Sequence, residues 1–143
     1  MKYSAITGKE DYIMKILVGY DDSNVAKAAL ALAKKHAKTF TASVEIVTSM
    51  IKGTESERED IEKAERGLEY AKGLFIEENI SCNTHLLIRG LSPGEDIVEF
   101  AQENNIDEII VGVKRRSKVG KILMGSTAQF VILKAHCPVV SVK

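Results

Sequence analysis

The chain has 143 residues, of which 45% are hydrophobic, and its 20 basic and 20 acidic residues give a formal net charge of zero. This length allows a single domain with a sizeable core that needs no metal or disulfide. The balanced charge argues against a protein that binds nucleic acid or membrane surfaces by general charge attraction. No apolar run approaches the roughly 20 residues of a membrane-spanning helix, so we expect no membrane partner.

The beginning of the chain differs from the rest. Residues 1–13 are mostly polar and lack the apolar centre of a signal peptide, so we predict a loose extension there and one domain over residues 14–143. Met14 directly precedes the first apolar run, which leaves open whether translation begins at Met1 or at Met14. The two cysteines have no metal-ligand spacing and suit a reducing compartment as small apolar residues. We therefore expect a cytoplasmic protein.

Apolar runs alternate with stretches of helical periodicity along the chain. The five expected strands are residues 15–19, 43–47, 84–88, 109–113 and 139–142. The stretches between them repeat apolar side chains at helical spacing, and residues 49–58 are polar and expected to be a loop. The third helix is predicted to begin with a capping box. Ser92 is the N-cap, Pro93 is the first helical residue, and the side chain of Glu95 accepts a hydrogen bond from the backbone amide of Ser92. The last helix is expected over residues 128–135.

Strands that alternate with helices predict an α/β fold. Each strand–helix–strand unit gives two parallel strands joined by a right-handed crossover, so helices cover both faces of the sheet. Five strands suit a doubly wound sandwich. Ligands of such sheets bind beyond the carboxyl ends of the strands, at the point where the strand order reverses. The turns that follow the strands are therefore where a binding site is expected.

Residues 112–127 are the most distinctive stretch of the sequence. They join an apolar strand to a helix and contain five cations and no acid: Lys114, Arg115, Arg116, Lys118 and Lys121. From residue 109 to the end, the chain has seven cations and no acid. A cationic, glycine-containing loop at a helix N-terminus suits a phosphate. Two alternatives stay open, a docking patch for an acidic partner or nucleic acid and a plain solvated loop.

The sequence argues against several other kinds of site. The basic stretch has no interleaved aromatic residue, which disfavours a stacking platform for single-stranded nucleic acid. It is not a Walker loop, because position 115 is arginine rather than glycine and position 122 is isoleucine rather than serine or threonine. No nucleophile–base pair can be argued, so a dedicated hydrolase has little support.

Three segments resemble the universal stress protein family. They are a Gly-Tyr-Asp-Asp-Ser turn after the first strand, the stretch Arg-Gly-Leu-Ser-Pro-Gly-Glu-Asp-Ile, and an ending with Gly-Ser-Thr-Ala followed by Cys-Pro-Val-Val-Ser-Val. The resemblance covers residues 14–143. It implies a flavodoxin-like three-layer sandwich with a five-stranded parallel sheet of order 3-2-1-4-5. It also implies a cytoplasmic homodimer that pairs through the last strand, Val139–Val142.

The nucleotide-binding branch of this family carries a three-glycine motif after the fourth strand, Gly-x2-Gly-x9-Gly-Ser/Thr. Gly112 matches the first glycine, and Gly125 and Ser126 match the final pair at the right spacing. Arg115 stands where the middle glycine is expected. An arginine there would crowd the approach of a phosphate, or it would hold the phosphate as a bidentate clamp. The sequence leaves both open.

The resemblance therefore implies an adenine-nucleotide site, with ATP as the leading ligand and a magnesium ion held through Asp21 as an open alternative. Gly19 and Tyr20 would shape the adenine side, Asp21 would lie near the ribose or phosphate, and Val44 would contact adenine. The implied nucleotide-binding residues are Gly19, Tyr20, Asp21, Val44, Gly112, Val113, Lys114, Arg115, Gly125, Ser126 and Thr127.

Several assignments have a purely structural alternative. Asp22 is interpreted as a helix cap, Ser126 and Gln129 have the spacing of a capping box, and Val44 would equally suit the core. The main functional interpretation is a stress-response module that binds ATP, with at most very slow hydrolysis or autophosphorylation. The alternative is a stress-response protein of the same fold that acts on an unidentified protein partner and binds no nucleotide because of Arg115.

Overall fold

The computed structural model describes residues 12–51, 57–118 and 121–143, with only the backbone described at 115–118 and 121–122. The helices are α1 (Asn24–Phe40), α2 (Glu57–Ile76), α3 (Pro93–Glu103) and α4 (Ser126–Lys134). The strands are β1 (Lys15–Gly19), β2 (Ser43–Ser49), β3 (Cys82–Leu87), β4 (Glu108–Gly112), β5 (Arg115–Lys118), β6 (Lys121–Met124) and β7 (Val139–Val142).

Five parallel strands form the central sheet, in the order β3-β2-β1-β4-β7. This order confirms the predicted flavodoxin-like sheet, since β7 is the fifth strand to join it. On one side β1 pairs with β2, with Ile16 opposite Val44, and on the other it pairs with β4, with Leu17 opposite Ile109. The strand order reverses at β1, so the carboxyl ends of β1, β2 and β4 form the edge where a ligand site is expected.

The sheet separates two apolar layers, one on each face. Ile16 and Val18 of β1 belong to the layer that contains Phe75 of α2, whereas Leu17 belongs to the layer that contains Ile97 of α3. This division follows from the alternation of side chains along a strand. Burying each such side chain stabilises the fold by about 1.5–3 kcal/mol, so the two layers fix the register that positions the strand ends.

Side-chain caps begin two of the helices. The predicted capping box of α3 is confirmed: Ser92 Oγ accepts from the amide of Glu95, and Glu95 Oε1 accepts from the amide of Ser92 at 3.1 Å. α1 begins after Ser23, whose hydroxyl accepts from the amide three residues on at 3.2 Å. The expected cap at Asp22 is wrong. Its φ is +65°, and its carboxylate accepts the hydroxyl proton of Tyr20 at 2.6 Å instead.

The basic stretch contains a β-hairpin where the sequence predicted a loop. β5 and β6 pair antiparallel as a separate two-stranded sheet, with Arg115 opposite Met124. Residues 119–120, which join them, lie outside the described part of the chain. At the base of the hairpin the amide of Gly125 donates to the carbonyl of Lys114 at 2.9 Å. The hairpin thereby brings the two ends of the glycine motif together.

Element boundaries differ from the predictions by one or two residues at several places. β2 continues to Ser49, two residues further than expected, and α4 begins at Ser126. The predicted N-terminal extension falls mainly on residues 1–11, and the middle of the predicted polar loop on residues 52–56, which lie outside the described residues. Across the described ranges, no helix is both long and apolar enough to cross a membrane.

Candidate functional site

A cleft of about 280 Å³ opens at the carboxyl edge of the sheet, next to β1. Its walls are the ends of β1, β2 and β4 and the first turns of α1, α3 and α4. Eight of the eleven residues implied by the resemblance line it: Gly19, Tyr20, Asp21, Gly112, Lys114, Gly125, Ser126 and Thr127. Segments that are about 90 residues apart in sequence thus meet in one concave site, as the topology predicts.

The other three implied residues lie elsewhere or are only partly described. Val44 is fully buried in the core opposite Ile16 and does not line the cleft. Val113 is 6% exposed, and its amide donates to the carbonyl of Val142 at 2.7 Å. The backbone of Arg115 lies in β5, and its side chain lies outside the described part of the structure.

Part of the cleft wall was missed by sequence reasoning. Val47 and Ser49 lie at the end of β2, and Pro93 and Ile97 lie in the first turns of α3. β2 runs two residues further than predicted, so Val47 and Ser49 form its end at the cleft, whereas Val44 lies earlier in the strand, opposite Ile16. The contribution of α3 has no local signal, because it depends on how the helix packs across β2 and β1.

The turn after β1 is anchored to β2 by its backbone. The amide of Tyr20 donates to the carbonyl of Val47 at 2.8 Å, and the carbonyl of Tyr20 accepts the hydroxyl proton of Thr48 at 2.8 Å. Burial, aided by the hydrogen bond to Asp22, raises the pKa of the Tyr20 phenol. The phenol therefore stays protonated and keeps its hydrogen bond, which holds the turn against the sheet.

An ion pair joins the two loops across the mouth of the cleft. Lys114 Nζ lies 2.5 Å from Asp21 Oδ2, and the two side chains are 57% and 49% exposed. Burial opposes ionisation of Asp21, yet hydrogen bonds from Lys114 and Ser23 hold the pKa of its carboxyl below its ordinary value. The pair keeps a cation at the cleft and gives it an anionic partner that a bound phosphate could replace.

The N-terminus of α4 faces the cleft without a side-chain cap. Gly125 is the N-cap, with φ −62° and ψ 150°, and its carbonyl accepts from the amide of Gln129 at 3.1 Å. The alternative interpretation of Ser126 and Gln129 as a capping box is therefore wrong, since Ser126 is already the first helical residue. The first amides of a helix have no partner within it, and they carry the positive end of the helix dipole. Such an end suits an anion.

The two sides of the cleft differ in chemistry. Near the end of β2 the lining is apolar, from Val47, Pro93 and Ile97. Near the end of β4 the lining contains the cation of Lys114 and the polar groups of the first turn of α4. An apolar floor beside an anion-binding rim fits a ligand with a flat ring at one end and a phosphate at the other.

Comparison with known proteins agrees with this architecture. The model of the Universal stress protein family matches residues 13–143. A universal stress protein of Methanocaldococcus jannaschii is 29% identical over 160 aligned residues, which span 98% of this chain and 88% of the relative. The structure of a universal stress protein from Archaeoglobus fulgidus superposes with a TM-score of 0.80 at 35% identity, covering 91% of this chain and 93% of that one.

A second structure adds a ligand. It is that of the universal stress protein from Archaeoglobus fulgidus in complex with dAMP, which superposes with a TM-score of 0.75 at 32% identity and covers 92% of this chain and 98% of that one. Fold and sequence both match over almost the whole length of the chain. The chain belongs to the universal stress protein family.

Proposed function

We propose that the protein is a cytoplasmic homodimer that binds an adenine nucleotide, foremost ATP, in this cleft and acts in the stress response. One observation carries the proposal. The same cleft is lined by Lys114 and the uncapped start of α4 on one side and by the apolar side chains of Val47 and Ile97 on the other. The cationic side matches phosphates and the apolar side matches a purine. The dAMP of the Archaeoglobus fulgidus relative supports adenine nucleotides as the ligand class, and the free cysteines fit a reducing cytoplasm.

Each side of the cleft then has a role. The hydroxyls of Ser126 and Thr127 and the first amides of α4 would hold phosphate oxygens. Lys114 would exchange Asp21 for a phosphate, which frees the carboxylate of Asp21 for a ribose hydroxyl or for a magnesium ion shared with the phosphates. Magnesium is commonly bound by one or two carboxylates together with substrate phosphates. No group of three or more His, Cys, Asp or Glu that could hold a metal is found among the described residues.

Two measurements test nucleotide binding directly. The purified protein is denatured and the supernatant analysed for released adenine nucleotide by chromatography, and the nucleotide-free protein is titrated with ATP by calorimetry, with and without magnesium. We expect saturable heat with one ATP per chain. The absence of both co-purified nucleotide and heat at millimolar ATP would overturn the proposal and favour the protein that binds only a partner.

A lysine substitution locates the phosphates. Lys114→Ala should weaken ATP binding about tenfold, since a charge-assisted hydrogen bond contributes about 1.5–3 kcal/mol, and should leave adenosine binding unchanged. Lys134→Ala is the matched control, because Lys134 is an exposed lysine in the last turn of α4, far from the cleft end. Equal losses for ATP and adenosine would mean that Lys114 contacts no phosphate.

The alternative function rests on one residue, Arg115, at the position of the middle motif glycine. Arg115→Gly separates the two roles that the arginine could have. An increase in ATP affinity assigns it a blocking role and supports the partner-binding alternative for the natural chain. A decrease assigns it the role of a phosphate clamp, and an unchanged affinity excludes both.

A further inference from the structure

Ser49 touches both the cleft and a buried carboxylate. It is the last residue of β2 and lines the apolar side of the cleft. Its hydroxyl is hydrogen bonded to Oδ2 of Asp96 in α3. Asp96 is 0% exposed and, among the residues that the structure describes, is the only charged side chain that is fully buried. Burying a carboxylate is costly unless it is paired and hydrogen bonded. Asp96 therefore requires a positively charged partner.

Arg89 is that partner. Its Nε donates to Asp96 Oδ1 at 2.8 Å, and its second guanidinium nitrogen donates to Glu103 Oε1 at 3.0 Å. The hydrogen bond to Asp96 raises the pKa of the Arg89 guanidinium. One carboxylate oxygen of Asp96 accepts from the Arg89 guanidinium, and the other accepts from the Ser49 hydroxyl. The proton between Ser49 and Asp96 is therefore the hydroxyl proton of Ser49.

The direction of this bond decides what Ser49 offers a ligand. A serine hydroxyl has one proton and two lone pairs. Since Asp96 takes the proton, only lone pairs of Ser49 remain for the cleft, and a ligand group that meets them must be a donor. A ligand carbonyl at the same place would face an acceptor and lose its own hydrogen bond with water.

The base of a nucleotide is the part that reaches Ser49. β2 and β4 lie on opposite sides of β1, so Ser49 is on the far side of the cleft from Lys114. Its neighbours there are Val47, Pro93 and Ile97, which suit an aromatic ring. We propose that Ser49, oriented by Asp96 and Arg89, makes the cleft select purines with an amino group at position 6 over those with an oxo group. This inference rests on the proposed nucleotide function.

The test compares three purine nucleotides that differ at position 6: AMP has an amino group, IMP has an oxo group together with a proton on the adjacent nitrogen, and purine riboside monophosphate has a hydrogen. We expect calorimetry to show that AMP binds about tenfold more tightly than IMP, because the oxo group of IMP would be buried without a hydrogen-bond donor. Purine riboside monophosphate should bind with an affinity between the two. Ser49→Ala should bring the AMP to IMP ratio close to one. Ser49→Thr keeps the hydroxyl and should keep the ratio.

Asp96→Asn tests the positioning role separately. The asparagine amide can donate to Ser49 Oγ, which frees the hydroxyl proton of Ser49 for the ligand. We expect the preference to shift toward IMP in this variant, a change in selectivity that loss of packing alone does not produce. Thermal unfolding of each variant checks that it is folded, and Ser49→Ala and Ser49→Thr decide the proposal if Asp96→Asn does not fold.

The outcomes separate this inference from the proposed function. If AMP binds but wild type does not distinguish it from IMP, or if Ser49→Ala leaves the ratio unchanged, the inference is overturned and nucleotide binding stands. If wild type binds none of the three nucleotides nor ATP, the proposed function fails and the inference fails with it.

Discussion

Lys114 and Asp21 are single residues on which the charge of the cleft depends. They come from loops after β4 and β1, and only the reversal of strand order next to β1 brings them together. Their 2.5 Å ion pair gives Lys114 a defined position before any ligand arrives. In the proposed function a phosphate would compete with Asp21 for Lys114, so the ion pair would favour ligands with more negative charge.

The pH dependence of stability tests this pair. The folded pKa of Asp21 is lowered below the unfolded value of about 3.9. Its carboxylate therefore adds stability that is fully present above that value and is lost as the pH falls through the folded pKa. Asp21→Asn should lower the free energy of unfolding by at most about 1 kcal/mol at neutral pH, since both side chains are half exposed, and by progressively less below about pH 4.

Urea denaturation of wild type and Asp21→Asn from neutral pH down to about pH 3 measures this difference. In a Lys114→Ala background the same substitution should cost less, because only the hydrogen bonds from Ser23 remain to favour the carboxylate. A difference that grows on acidification would contradict the assigned direction of the Asp21 pKa.

Single residues of the site were predictable where the signal is local. Gly125 and Ser126 belong to a short motif, and they lie where the motif places them, at the start of α4. Val44 illustrates the opposite case. The family resemblance implied Val44 as an adenine contact, but Val44 lies opposite Ile16 in the apolar layer on the other face of the sheet, whereas Val47 and Ser49 line the cleft. The contact between Ser49 and Asp96 joins residues 47 positions apart, and no local sequence pattern predicts such a contact.

At the scale of elements, prediction succeeded where periodicity is strong. The strands and helices of the main sheet were expected from alternating apolar runs, and the capping box of α3 was visible in four residues. The hairpin of β5 and β6 was not, because Arg115–Lys118 has no apolar alternation to mark a strand. Its signal was only the two-residue connection with a glycine between β5 and β6, which is typical of hairpins.

The packing of α1 against β4 makes Gly112 a test at this scale. A Cβ added at Gly112 would lie 2.7 Å from the backbone carbonyl carbon of Val25 in α1, and backbone cannot move aside cheaply. We expect Gly112→Ala to lower the free energy of unfolding by about 1–3 kcal/mol. It should also weaken ATP binding, because Gly112 and Val25 both line the cleft.

Gly73→Ala is the matched control for this substitution. Gly73 lies within α2, and a Cβ there would meet nothing within 4 Å. Alanine is the better helix former, so this variant should gain about 0.5–1 kcal/mol. Urea denaturation of both variants gives the comparison. A Gly112→Ala protein as stable as wild type would show that α1 does not pack closely against the end of β4.

At the scale of the whole molecule, the sheet has two edges of different character. β3 forms one edge with the polar residues Asn83, Thr84 and His85, and β7 forms the other with Val139, Val140 and Val142. A short apolar edge strand is a liability when it stays exposed. The proposed homodimer through β7 would cover it, since two copies related by a two-fold axis can extend the sheet antiparallel across the axis.

The register of β7 shows which backbone groups are available for such pairing. The amide of Ile109 donates to the carbonyl of Pro138 at 3.0 Å, and the amide of Val113 donates to the carbonyl of Val142 at 2.7 Å. In a parallel ladder with Ile110 opposite Val140, the polar backbone groups of Val140 and Val142 therefore point to β4. Those of the alternate residues point to the open edge.

Proline at two adjacent positions of β7 separates dimerisation from folding. Ser141→Pro removes an amide of the open edge, and its exposed side chain carries no core packing. We expect a folded monomer, seen as half the wild-type mass by light scattering with unchanged circular dichroism. Val140→Pro removes a bond to β4 and should unfold or precipitate the protein, whereas Ser141→Ala keeps the amide and should stay dimeric. A folded Ser141→Pro dimer would place the interface away from β7.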